Sequence, residues 1–123
     1  MMKVLVVDDE ALIALDMVGI VEMAGHSVLG PAFSLDAGFS LLETEVPDVA
    51  LLDIDVGGRL VWPLARRLVD MGAVPVFISA NSAHPELSGE FGGCPFIDKP
   101  ATPADIDAAL AGAWAMTAAS APE

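Results

Sequence analysis

Val4-Leu5-Val6-Val7 runs directly into Asp8-Asp9-Glu10. Four apolar residues, three of them β-branched, read as a buried strand. The three carboxylates at its end repel one another and resist losing water. A hard divalent cation relieves that conflict, because Mg2+ takes oxygen ligands and commonly one or two carboxylates. A chain that opens this way needs a strand whose far end lies at a polar rim.

The pattern recurs. Val49-Ala50-Leu51-Leu52 ends in Asp53-Ile54-Asp55, Val74–Ile78 ends in Ser79-Ala80-Asn81, and Phe96-Ile97 ends in Asp98-Lys99-Pro100. A shorter strand, Ser27–Leu29, stops at Gly30-Pro31. Helical stretches separate these runs. Glu10–Ala24 carries Ile13, Met17, Ile20, Val21 and Ala24 as a stripe, with Gly25 as a stop. Ser34 caps a second helix with Gly38, Leu41 and Leu42 inward. Val56-Gly57-Gly58 reads as a loop before a helix over Leu60–Met71, with Val61, Leu64, Ala65 and Leu68 on one face. A fourth helix within His84–Phe91 holds Pro85 and Gly89 and is expected to be short or mobile. Thr102 and Asp105 form a capping box for the last helix, with Pro103 at its first position. Its apolar face is Ile106, Ala109, Leu110, Ala113 and Trp114.

Strand and helix alternate five times. Apolar strands without period-two alternation imply a parallel sheet covered on both faces. Ligands of such sheets bind outside the carboxyl ends of the strands. Asp8, Asp9, Asp53, Ser79 and Lys99 each stand at such an end, so the topology gathers them. There a carboxylate can accept a phosphoryl group, provided that the phosphoryl oxygens are neutralised. Mg2+ held by Asp8, Asp9 and Asp53 would bridge acceptor and phosphoryl. Lys99 would add a second positive charge, Ser79 a hydroxyl donor, and the small Ala80 would leave access.

Composition narrows the partners. The chain has 123 residues with net charge −13 and only five basic residues, which argues against phosphate-neutralising nucleic-acid binding. It suits a basic or metal-bearing partner. No apolar run reaches the roughly 18 residues that span a bilayer, so no membrane segment is expected. Asp8 and Asp9 interrupt the opening apolar run too early for a signal peptide. The lone Cys94 points to a reducing, cytoplasmic setting.

Taken together, Val-Val-Asp-Asp-Glu (6–10), Pro-Asp-Val-Ala-Leu-Leu-Asp (47–53), Ser79-Ala80 and Lys99-Pro100 resemble, in order, the motifs of the receiver domain of two-component response regulators. The likeness covers about residues 3–115. It implies a flavodoxin-like, doubly wound α/β fold: a five-stranded parallel sheet of order 2-1-3-4-5 with five helices. The domain would occupy 1–117, with 118–123 a frayed tail. The resemblance implies Asp53 as acceptor from a histidine kinase or histidine phosphotransfer protein, with Mg2+ at Asp8, Asp9 and the backbone carbonyl of Asp55. It implies Ser79 and Lys99 at the phosphoryl group, Phe96 at the aromatic switch position, and a cis Lys99–Pro100 bond. Asp55 and Asn81 flank the acceptor and would tune the self-catalysed loss of phosphate, so the chain would be an enzyme only in a loose sense. A stand-alone receiver of this kind would act as switch, shuttle or phosphate sink through contacts with an unidentified downstream protein.

The loop Val56-Gly57-Gly58-Arg59 departs from the family's Pro-Gly-Met-like turn, and the fourth helix is unusually rich in glycine. Two other classes fit parts of the pattern. Leu-Leu-Asp53-Ile-Asp55-Val resembles the nucleophile motif of haloacid-dehalogenase-type phosphatases, but the acid pair stands before it and the chain is short for a substrate cap. A phosphate-independent interaction module on the same fold is the remaining alternative. Asp53-x-Asp55-x-Gly57 lacks the later ligands of a calcium loop. Trp62 and Trp114 are expected in the core or an interface, His26 and His84 at the surface, and Arg66-Arg67 on a solvated helix face.

Overall fold

The computed structural model describes residues 1–120. The elements, in order, are β1 (Lys3–Val7), α1 (Ala11–Met23), β2 (Ser27–Ala32), α2 (Leu35–Leu42), β3 (Val49–Asp53), β4 (Asp55–Val56), β5 (Arg59–Leu60), α3 (Trp62–Asp70), β6 (Val74–Ser79), α4 (Pro85–Ser88), β7 (Phe96–Asp98) and α5 (Pro103–Ser120). The five longer strands form one parallel sheet of order β2-β1-β3-β6-β7. Counted along that sheet alone the order is 2-1-3-4-5, so the expected flavodoxin-like fold and its five helices are found.

The sheet has two dry faces, which explains why its central strands show no polar alternation. Leu5, Val7, Ala50, Leu52 and Phe77 point to a core closed by α2 and α3. Val4, Val6, Leu51, Val76 and Ile78 point to the other, closed by α1 and α5. All of these are at most 2% exposed. The capping expectations hold: Ser34 Oγ accepts from Ala37 N–H at 3.1 Å, and Thr102 and Asp105 exchange reciprocal bonds of 3.1 Å each.

Several boundaries and faces differ from the sequence reading. β2 continues past Gly30-Pro31 to Ala32, because an edge strand tolerates a proline. The expected 56–58 loop is the turn of a β4–β5 hairpin, and Leu60 is a strand residue paired with Asp55. Gly57 and Gly58 take φ values of 61° and 83°, the two positive angles that a two-residue type I′ turn requires. The inward stripe of α1 is Ala14, Met17 and Val21, whereas Ile13 and Ala24 are exposed. Trp114 is 50% exposed, although Ile106, Ala109, Leu110 and Ala113 are buried as expected. His84 and His26 are half-buried: His84 meets Trp62 edge-on at 5.6 Å, and His26 Nδ1 accepts from Met2 N–H at 3.1 Å. Arg66 and Arg67 are exposed on α3 as expected, and Arg66 makes a two-pronged ion pair with Glu90. α4 is a single turn, short as expected. The tail expected to fray overlaps the end of α5, and its residues 121–123 lie outside the described residues.

Leu51 is fully buried in the middle of the central strand. Leu51→Ala should cost about 3 kcal/mol of stability by lost burial plus cavity. Urea unfolding followed by circular dichroism would measure this.

Candidate functional site: an acidic cleft at the carboxyl rim

The five strand ends build the site. The Asp8 N–H donates to the Ala32 carbonyl at 3.1 Å, tying the end of β1 to β2. Asp53 closes β3 and Ser79 closes β6, paired in register through Asp53↔Ile78. Lys99, just past β7, donates its backbone N–H to the Ser79 carbonyl at 3.0 Å. Four residues distant in sequence are thereby fixed by ladder geometry rather than by loops.

The side chains then meet. Lys99 Nζ lies 3.3 Å from Asp53 Oδ1 and 3.7 Å from Asp8 Oδ2. Asp8 is 0% exposed, Asp53 6% and Ser79 9%. One carboxylate oxygen from each of Asp8, Asp9 and Asp53 falls within 4.8 Å of the others, close enough to share one cation. Asp8 Oδ1 accepts from the Glu10 N–H at 2.9 Å, but Asp8 Oδ2 is buried without a hydrogen-bond partner. A buried carboxylate oxygen left this way is costly, so the donor set fits a divalent cation bound through oxygen.

Charge and burial set the titration. Burial pushes the Asp53 carboxyl up to about 6, the nearby Asp8 carboxylate adds to this, and Lys99 opposes both. Burial likewise raises Asp8, against the Glu10 N–H and Lys99. On Lys99, burial acts downward, but Asp53 and Asp8 outweigh it and the ammonium is held above its ordinary value.

The cleft is also lined by Glu10, Asp55, Gly58, Ala80 and Asn81. Ser79 Oγ accepts from the Asn81 N–H at 3.1 Å, which leaves its own hydrogen to donate. Asn81 Oδ1 accepts from Ala83 N–H at 2.9 Å. The Asp55 carboxylate turns to Gly58 N–H at 3.0 Å and is not one of the three gathered acids. Phe96 lies on β7, packed against the α2–α3 core and outside the cleft. Pro100 follows a cis bond, as expected, and lines neighbouring crevices instead. Sequence reasoning missed Gly57, whose N–H holds Asp9 Oδ2 at 3.0 Å. The Gly57-Gly58 pair between two short extended segments was the available signal.

A parallel sheet of this order, with an acid pair, a third acid, a hydroxyl and a lysine at its carboxyl rim, defines a response regulator receiver domain, and this chain belongs to that class. It is 33% identical over 113 residues to the phyllosphere-induced regulator PhyR of Methylorubrum extorquens, a match covering 88% of this chain and 42% of that protein. The response regulator PhyR from Brucella abortus superposes with TM-score 0.81 at 29% identity, over 97% of this chain and 50% of that one. The PhyR receiver domain of Erythrobacter litoralis gives 0.83 at 22% identity, over 99% and 95%. A response regulator from Burkholderia pseudomallei, described with a phosphorylated aspartic acid and a calcium ion, gives 0.78 at 23% identity, over 97% and 72%. The chain therefore spans about half the length of the first two relatives. No family model matches it.

The raised Asp53 carboxyl has a stability consequence. Between pH 3.8 and about 6 the folded state binds a proton that the unfolded state has released. That contribution is full below pH 3.8 and is lost as pH rises through about 6. Asp53→Asn should therefore be more stable than wild type at pH 7, by about 2 kcal/mol, and lose the Asp53 part of the slope. Urea unfolding at a series of pH values from 4 to 8 checks both.

Proposed function

We propose that this receiver takes a phosphoryl group on Asp53 from a histidine kinase or a histidine phosphotransfer protein, and acts through protein contacts as a switch, shuttle or phosphate sink. The observation that carries the reading is the Lys99 ammonium 3.3 Å from a nearly buried Asp53, beside a buried oxygen of Asp8 that has no hydrogen bond. The phosphorylated aspartic acid and calcium ion of the Burkholderia regulator support it.

In this reading an Asp53 oxygen forms the new P–O bond while the donor's P–N bond breaks, and the imidazole leaves with the electron pair. Lys99 neutralises charge on the phosphoryl oxygens, and the free Ser79 hydrogen bonds one of them. Asp8, Asp9 and Asp53 would hold Mg2+, which would supply further charge neutralisation. Asp55 would add its backbone carbonyl to the metal. Asn81 and Ala80 border the acceptor and set the access of water, while Phe96 and the Lys99–Pro100 turn would relay the change. Among the described residues no helix is long and apolar enough to cross a membrane, and we place the protein in the cytoplasm with its kinase.

Acetyl phosphate with Mg2+ should add one phosphoryl group, read by intact-protein mass spectrometry. Asp53→Ala should abolish the addition, and Lys99→Ala should slow it at least about tenfold. Labelling that survives Asp53→Ala overturns the assignment. Mg2+ alone should raise the melting temperature at pH 7 and have less effect at pH 5, where protons compete for Asp53. Differential scanning fluorimetry distinguishes these outcomes.

A further inference from the structure

Of the three acids gathered in the cleft, two are held by the sheet. Asp8 bonds to β2 through its own N–H, and Asp53 is the last residue of β3. Asp9 stands one residue further out and is exposed. An exposed aspartate samples several rotamers, and a cation that needs one of them must select it at an entropic cost. Asp9 is nevertheless held. Its Oδ2 accepts the Gly57 N–H at 3.0 Å, from a donor 48 residues away in sequence.

That donor stands on a rigid base. Ile54, Val56 and Val61 are at most 2% exposed and belong to the core closed by α2 and α3. The Val61 N–H closes the foot of the β4–β5 hairpin on the Ile54 carbonyl at 2.9 Å, and Asp55 Oδ1 accepts the Gly58 N–H at 3.0 Å. Arg59 reaches Asp36 of α2 at 3.2 Å, an exposed pair that adds little. A Cβ built on Gly57 or Gly58 would meet nothing within 4 Å, but both residues have positive φ. Glycine serves here for backbone angle and not for space. That angle gives the turn the shape in which the Gly57 N–H meets Asp9. The bond does not use up the carboxylate, which offers about four lone-pair sites and can accept an N–H while it ligates a cation.

We infer that Gly57 is a positioning residue for the divalent cation: its N–H fixes the Asp9 carboxylate beside Asp8 and Asp53 before the ion arrives. The inference rests on the reading of these three acids as a metal site. It gives a role to Val56-Gly57-Gly58-Arg59, the segment in which the chain departs from the family's Pro-Gly-Met-like turn. The group that touches the ion is Asp9, and Gly57 acts through it, as hydrogen-bond partners of metal ligands commonly do.

The test measures Mg2+ affinity of the full chain at pH 7 from amide NMR shifts. Gly57→Pro deletes the donor and cannot take a φ of 61°, so it should weaken Mg2+ binding about tenfold. Gly57→Asn keeps the N–H and tolerates the left-handed angle, so its affinity should stay within about twofold of wild type. The hairpin lies outside the five-stranded sheet, so both variants should keep the wild-type circular dichroism. With Asp9→Ala already in place, Gly57→Pro should change the affinity by less than about twofold. A further measurement needs neither Mg2+ nor the proline variant: in the metal-free chain, Asp9→Ala should speed hydrogen exchange of the Gly57 amide at least about fivefold. Unchanged or tighter Mg2+ binding by Gly57→Pro would overturn the inference. So would an equal loss in Gly57→Asn, an undiminished effect of Gly57→Pro on the Asp9→Ala chain, or a Gly57 amide whose exchange ignores Asp9. Failure of the wild-type chain to bind Mg2+ would bring down the metal reading and this inference together, whereas those other results, with wild-type binding intact, remove the role of Gly57 alone.

Discussion

Three charges in a space too dry for them govern this molecule. The Asp8 and Asp53 carboxylates are almost wholly buried, and one ammonium, 3.3 and 3.7 Å away, is shared between them. At an effective dielectric near 20, two unit charges at about 4 Å interact by roughly 4 kcal/mol, so the single Lys99 cannot neutralise both acids and Asp9 as well. Burial raises Asp53, the uncompensated Asp8 carboxylate adds to it, and Asp8 Oδ2 is left with the distant ammonium and no hydrogen bond. Much of the sheet exists to hold that arrangement still. Each charged group is anchored within a residue of a ladder bond, and the strands behind them are packed on both faces. The acids therefore cannot swing apart to relieve their repulsion, and a cation or a phosphoryl group bound there meets a site already formed.

The same logic explains how much was legible beforehand. Buried parallel strands announce themselves as unbroken apolar runs, and the abrupt switch to acid or lysine marks where each run leaves the core. Asp8, Asp53, Ser79 and Lys99 could be placed because their positions follow from strand ends alone. The hairpin at Asp55–Leu60 could not, since strands of two residues carry no period and Leu60 continued a helical pattern. The α1 stripe was assigned only in part, with Met17, Val21 and the partly buried Ile20 inward but Ile13 and Ala24 exposed, for a related reason. When both sides of a helix are apolar, periodicity no longer says which side is inward, and only the neighbouring sheet selects Ala14 over Ile13. Trp114 fails likewise, because Ala113 already occupies the inward position beside it.

Segment 84–94 shows tertiary contacts doing what local propensity does elsewhere. Pro85, Gly89, Gly92 and Gly93 limit α4 to one turn. What holds the segment is α3. Trp62 stacks on Phe91 with ring centroids 5.7 Å apart and meets His84 edge-on, while Arg66 grips Glu90 from the same helix. Phe77 joins the cluster from the sheet, 5.1 Å from Phe91. The exposed Arg66–Glu90 pair contributes little by itself, so the aromatic burial carries most of the attachment.

That attachment lies one short connection from the acidic cleft. Ser79 and Asn81 border Asp53, Asn81 Oδ1 fixes Ala83 N–H, and His84 then rests on Trp62. A shift of the Ser79 hydroxyl toward a new hydrogen-bond acceptor must either break its bond from the Asn81 N–H or carry that backbone with it. If the backbone follows, the displacement reaches His84 within three residues and acts on a segment held by side chains rather than by a helical ladder. A full helix in this place would resist such a pull through its backbone bonds. A single turn followed by glycines has few such bonds, and what anchors it is the packing of Trp62, Phe77 and Phe91.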